Sequence, residues 1–406
     1  MKKNKLLFIA LFLALAFVSS CAFIYDKVGG NFAGEPQELE ANLTQEARKL
    51  IAEAFEGIDP VKLVDFHTHI VGLGVGGNDT YVNPDMMSFW HPYQRLQFSI
   101  YISAAGIKNL DNADAEYVAR LANLIDNIPN HGKYMILAFE KFYGVDAKAD
   151  LRETHFHVSN KYVFQLAKAR PDIFIPMISI HPYREDATSE LEKWHKKGAR
   201  FVKWLPNSMG IDPADARNDL FYKKMRDLDM VLLTHTGDEG AVGEKFPEYG
   251  NPQRFARALD LGVTVVMAHC ASLGSYNSGL VSGEKVSGFK IFLKMMEKYD
   301  GLLYGEISAL TQYNRFKEND ALKTLLERKD LHSRLINGSD YPLPGINFLV
   351  RTSSLADSGF ISGEEREALN LIYSYNPLLF DFVLKRTLRH PETGEKFPAS
   401  VFMSPF

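Results

Sequence analysis

Residues 64–69 read Val64-Asp65-Phe66-His67-Thr68-His69, an apolar run that ends in two histidines one residue apart. Alternate residues of a strand point the same way, so an extended chain here turns both imidazoles to one side. Working outward, residues 62–66 open a series of eight short apolar runs. The other seven lie at 134–139, 174–180, 200–205, 230–234, 263–268, 302–307 and 334–337. Runs rich in Val, Ile, Leu and Phe, apolar on both faces, suit buried parallel strands. Helical spacing fills the intervals at 160–169, 188–197, 218–228, 252–261, 285–299 and 320–328. Gly198, Gly262 and Gly301 each precede the next run, as helix C-caps do. Strand and helix alternating in this way predict an α/β chain folded as a (β/α)8 barrel. An open doubly wound sheet fits less well, because no phosphate-binding glycine fingerprint follows the first run.

The barrel is expected over residues 60–388, with a long insertion at 71–130 that carries helical pieces at 94–105 and 113–126. A leading helix is expected within 39–59, where Leu39, Leu43, Ala47, Leu50, Ile51 and Ala54 recur at helical spacing. A helical tail at 364–388 precedes a C-terminal extension, 389–406. Before all this, Lys2, Lys3 and Lys5 lead an apolar run from Leu6 to Val18, too short to span a bilayer comfortably and suited to a secretory signal. Val18-Ser19-Ser20-Cys21 resembles a bacterial lipobox, which implies a signal peptide over 1–21 and lipid on Cys21. Residues 22–38, with Gly29, Gly30, Gly34 and Pro36, read as a tether. The expected location is the bacterial cell envelope, exported and held to a membrane by that lipid.

Composition bounds the partners. The 406 residues carry 46 basic and 50 acidic side chains, a net charge of −4, so there is no basic excess to bind nucleic acid. Of the two cysteines, Cys270 has no partner if Cys21 carries lipid, so the fold rests on its core alone.

Function in a barrel sits where strands end and the next loops begin. Besides His67 and His69, the expected strand ends carry Lys203, His235 and His269, and Asp340 in Asn337-Gly338-Ser339-Asp340-Tyr341-Pro342. A lone strand-end histidine is ordinarily a hydrogen-bonded structural residue. Several such groups at corresponding ends point instead to one cation, held by His67, His69, His235 and Asp340. Imidazole and carboxylate suit Zn, Mn or Fe rather than Ca, and Zn is the expectation. Secondary candidates are His181 and Arg184 after the third run, the latter as a clamp for a substrate carboxylate, and Glu306, which could orient the site. His155 and His157 follow the second run. If they begin a helix they diverge, so at most one reaches the mouth.

His-x-His, Lys, His, His and Gly-Ser-Asp, in this order and at these ends, resemble the amidohydrolase superfamily. The likeness covers roughly residues 60–385 and is greatest to the amidohydrolase-related branch that includes the aminocarboxymuconate-semialdehyde decarboxylase group. The resemblance implies the same four ligands, with His269 polarising the substrate. It leaves Lys203 either carboxylated and bridging two cations or uncarboxylated beside one. The expectation here is the second, since Trp204-Leu205-Pro206 departs from the common binuclear pattern. The implied activity is hydrolysis of a small-molecule amide, lactone or other ester, by water that the cation acidifies and Asp340 deprotonates. The alternatives are nonoxidative decarboxylation and, from a different class, a surface-anchored binding lipoprotein without catalysis.

Overall fold

All eight runs form parallel strands in a computed structural model that describes residues 28–144, 146–277, 279, 283–318 and 320–406. They are β1 (Val64–His69), β2 (Lys133–Leu137), β3 (Phe174–Met177), β4 (Phe201–Trp204), β5 (Val231–Thr234), β6 (Val265–Met267), β7 (Leu303–Glu306) and β8 (Leu335–Ile336). Three form one hydrogen-bonded sheet, β1-β2-β3, and five another, β4-β5-β6-β7-β8. Two seams join them into a ring. At the first, Ile178 pairs with Val202, and the Lys203 N–H donates to the Ile178 carbonyl at 2.7 Å. At the second, β8 meets β1: the Phe66 N–H donates to the Asn337 carbonyl, and the Asp340 N–H to the His67 carbonyl at 2.7 Å. The fold is the expected (β/α)8 barrel.

Period-two alternation splits the strands' apolar residues between two layers. Phe66, Leu137, Met177, Phe201, Leu233 and Val266 belong to a small apolar cluster within the ring. Val202, Trp204, Leu232, Val265, Met267 and Leu303 belong to the larger core shared with the helices. The inner layer is closed from below by Phe406, whose ring meets Phe66, Phe201 and Tyr304 at centroid distances of 5.9, 5.5 and 5.0 Å.

Strand β1 departs from simple alternation. Asp65 pairs with Tyr134 and Thr68 with Ile136, so β1 spends three steps where β2 spends two. The extra residue resets the parity. Val64 and Phe66 join the inner apolar cluster, while His67 and His69 face the cavity above it.

The expected helices stand with local changes. The leading helix is two, Leu39–Asn42 and Gln45–Ala54, because Thr44 stops the first and caps the second by accepting the Ala47 N–H. The tail likewise divides into Gly363–Tyr373 and Pro377–Thr387, with Asn376 capping the latter. Over 285–299 the helix begins only at Gly288: Lys285–Ser287 is a strand paired antiparallel to Ser275–Asn277. His155 and His157 flank and enter a strand, Phe156–Val158, paired with Thr80–Val82, and not a helix start.

Cys21 and the whole apolar run before it lie outside the described residues. Of the expected tether, the part from Val28 onward packs against the body. The Asn347 N–H donates to the Val28 carbonyl at 3.0 Å, and the Ala33 N–H to the Ser374 carbonyl at 2.7 Å. Among the described residues no helix is long and apolar enough to cross a membrane.

Candidate metal centre

The C-terminal ends of the strands surround a cavity of about 410 Å³, within the range that takes a small-molecule ligand. His67, His69, Lys203, His235, His269 and Asp340 all line it. The structure therefore gathers the main set expected from the sequence. Asp340 sits at the centre: its Oδ1 is 3.3 Å from His67 Nε2 and 3.2 Å from His69 Nε2. Ligand atoms of these three residues lie close enough to share one cation. His235 is not within that close group, but its Nε2 is buried without a hydrogen-bond partner among the described residues. A buried polar atom left unpaired costs on the order of 1–3 kcal/mol, so it points to a missing partner. The donor chemistry and the orphaned nitrogen both fit a divalent cation.

A chain of hydrogen bonds fixes two of the imidazoles. Glu306, fully buried at the end of β7, places Oε2 3.1 Å from His67 Nδ1 and accepts the Ser308 hydroxyl at 2.7 Å. Its other oxygen accepts the Ser308 N–H. The Ser308 hydroxyl, having donated to Glu306, accepts from His269 Nδ1 at 2.8 Å. Both rings thus carry their proton on Nδ1 and turn a lone pair on Nε2 toward the cavity. The polarising role implied for His269 would need the proton on Nε2 instead.

Burial is the largest cause of the shifts at these groups. It pushes His67 and His269 well below the ordinary histidine range and His235 down to about 3, keeping the rings neutral. It lifts Glu306 to about 7. Lys203 falls to about 8, with Asp340, Glu306 and Glu239 acting in the other direction. Its Nζ lies 3.0 Å from His67 Nε2.

Backbone strain gathers at the same place. His269, Cys270 and Ala271 have φ of 58°, 49° and 50°, and Asp340 has φ of 60°. Aspartate tolerates this region better than most residues. Three consecutive non-glycine residues in it need strong support from their surroundings.

The structure also separates residues that the sequence had grouped with the site. Arg184 does not reach the cavity: its guanidinium is committed to Glu140 at 2.7 Å and to Asp186 at 2.8 Å. His181 is buried with Nε2 at 3.0 Å from the Met209 carbonyl and Nδ1 accepting the Tyr183 N–H, so both its nitrogens serve the fold. Of the two histidines after β2, His155 lines the cavity, and His157 is held to the Phe139 carbonyl at 2.6 Å.

Two residues that the sequence did not single out do line the cavity. Glu239 is buried with Oε2 at 3.3 Å from His235 Nδ1, so it orients that ring as Glu306 orients His67. Arg315, from the short Tyr313–Glu318 helix, is buried as well. Its Nη1 donates to the Ser272 hydroxyl at 3.3 Å, and its Nε has no partner among the described residues.

Several solved structures are similar in fold. An uncharacterised TIM-barrel protein from Bordetella bronchiseptica is 17% identical over 76% of this chain and 99% of its own, with a TM-score of 0.45. A putative 2-pyrone-4,6-dicarboxylic acid hydrolase from Pseudomonas putida is 15% identical over 70% and 83%, with a TM-score of 0.41. The 5-carboxyvanillate decarboxylase from Sphingomonas paucimobilis is 12% identical over 76% and 96%, with a TM-score of 0.44. Among curated proteins none matches this sequence. The family model described as amidohydrolase matches residues 64–346, which begin with β1 and run past β8. With the strand-end cluster lying inside that match, the chain belongs to the amidohydrolase family.

Proposed function

We propose that the protein is a metal-dependent hydrolase of a small-molecule amide, lactone or other ester. The observation that carries the reading is Asp340 Oδ1 at 3.3 and 3.2 Å from the Nε2 atoms of His67 and His69, at the floor of a substrate-sized cavity. His67, His69, Asp340 and, after a small approach, His235 would hold one divalent cation, with Zn the best match. Such a cation supplies Lewis acidity and brings the pKa of water toward about 7. The remaining work belongs to the side chains. Asp340 accepts the proton of the attacking water and returns it to the leaving group. His269 Nε2, 3.9 Å from Asp340 Oδ2, is the second acceptor facing the cavity. Lys203 stays uncarboxylated and hydrogen-bonds beside the ligands.

One observation favours the decarboxylase alternative. Buried Arg315 lines the cavity with a guanidinium whose Nε has no partner among the described residues, the fitting for a substrate carboxylate that Arg184 cannot supply. Metal analysis of the purified chain, with turnover measured on lactones, amides and aromatic carboxylates, separates the readings. One equivalent of metal and hydrolysis that is lost in His67→Ala or Asp340→Ala is expected. Release of CO2 from a carboxylated substrate, lost in Arg315→Met, would replace hydrolysis with decarboxylation. Full activity in a metal-free His67→Ala, His69→Ala variant would remove both. Export and the lipid on Cys21 belong to the same proposal, supported by the charged start, the short apolar run and the small residues before Cys21.

A further inference from the structure

The cavity has an apolar rim that the chemistry above does not use. The Pro92–Ala104 helix reads PYQRLQFSIYISA, yet only Ala104 within it is buried. Just before it stand Phe89 and Trp90, 74% and 85% exposed, with their rings edge to face at 5.8 Å. Tyr93, 70% exposed, and Leu96 and Phe348 are also exposed, and these three line the cavity mouth. Phe89 and Trp90 adjoin the helix that brings Tyr93 and Leu96 to the mouth, and aromatic residues so exposed and so close together are rare on a surface that meets only water.

The chain's own path indicates what covers the rim. Val28 receives the Asn347 N–H, and Gly29 lies so close to the same helix that an added Cβ would stand 2.6 Å from the Ile100 carbonyl oxygen. The segment that carries Cys21 therefore joins the body beside the mouth. From Cys21 to Val28 is seven residues, at most about 25 Å of extended chain. The Pro92–Ala104 helix, at about 1.5 Å per residue, is about 20 Å long. A lipid on Cys21 would be confined to the neighbourhood of the rim.

We propose that the cavity mouth docks on a lipid bilayer, with Phe89, Trp90, Tyr93 and Leu96 seated at the interface. The proposal rests on the export and lipid reading of Cys21 given above. A flexible lipid anchor fixes how far the protein stands from the membrane but not which face it turns to it, and an aromatic patch within reach of the anchor sets that orientation. Tryptophan and tyrosine are the residues that favour this boundary.

The test uses the full chain and its three tryptophans. Trp194 and Trp204 are buried and Trp90 is exposed, so quenching from within a membrane reports Trp90. The chain is mixed with phosphatidylcholine–phosphatidylglycerol vesicles whose acyl chains carry bromine, and flotation is measured on the same samples. Expected is flotation with a blue shift and loss of the Trp90 emission, absent in Trp90→Phe. In Phe89→Ser, Tyr93→Ser the chain still floats, but the quenching falls by half or more. Flotation with full emission would overturn the docking and leave the anchor in place. Neither flotation nor quenching would overturn both. A blue shift that appears without vesicles and vanishes on dilution would show a second copy on the rim, again overturning the proposal. None of these readings depends on metal or turnover, so the hydrolase assignment stands or falls separately.

Discussion

At the scale of the residue, Glu306 decides what His67 can be. It holds the Nδ1 proton and leaves Nε2 as the donor atom. Removing such an orienting carboxylate typically costs 10–100-fold in metal affinity, so Glu306→Gln should lower affinity by about that factor, read by competition with a chromogenic chelator. Affinity equal to the parent would show that the contact does not orient the ligand. His181 bears on stability instead. Burial pushes it down to about 3 from an ordinary 6.5, so the unfolded chain takes up its proton first. Its stabilising contribution is complete above about pH 6.5 and is lost as pH falls from there toward 3, at about 1.4 kcal/mol per unit. Between pH 7 and pH 5 the parent should lose about 2 kcal/mol more than His181→Gln in urea unfolding. Parallel losses in the two proteins would mean that His181 takes up its proton at ordinary pH in the fold. The histidines and Asp340 were legible because strand ends are easy to locate and their residue types are chemically narrow. Glu239 and Arg315 were not, because a charged residue in a loop reads as solvated unless the fold buries it.

At the scale of the element, the eight apolar runs were legible because strands buried on both faces leave an unbroken signature. The extra residue in β1 was not, since a bulge depends on the partner strand and leaves no pattern in its own. Alternation alone therefore put His67 and His69 on one side for an incomplete reason: Phe66 and His67 both reach the interior, at different levels. Short strands such as Lys285–Ser287 were hidden within a helical pattern that starts three residues later. The turn after β8 makes its own demand. A Cβ on Gly338 would stand 2.6 Å from His67 Cβ and 2.6 Å from Glu306 Oε1. Gly338→Ala should thus push the ligand and its orienting carboxylate apart, costing about 1–3 kcal/mol of overpacking. The expected result is weaker metal binding with the far-UV circular dichroism unchanged, and metal affinity equal to the parent would rule out that contact.

At the scale of the whole molecule, a cation would tie stability to metal supply. Anything that binds only the folded state adds about 2.7 kcal/mol at a hundred times its Kd. A chelator should therefore lower the urea midpoint of the parent and leave His67→Ala, His69→Ala unmoved. Equal shifts in both would place the stabilising metal elsewhere. Attachment is tested separately: Cys21→Ser should yield soluble protein or an uncleaved precursor, and unchanged fractionation with normal processing would end the lipoprotein reading. The seam between β8 and β1 has one more consequence. His67 and Asp340, joined there backbone to backbone and side chain to side chain, stand at opposite ends of the barrel's sequence. Contacts so distant along a chain form late, after the loop between them has been closed. A cation held across that seam would not find its full ligand set in a partly made chain. Loading would then belong to the compartment where the last strand arrives, and the ion bound would be chosen from those that compartment holds.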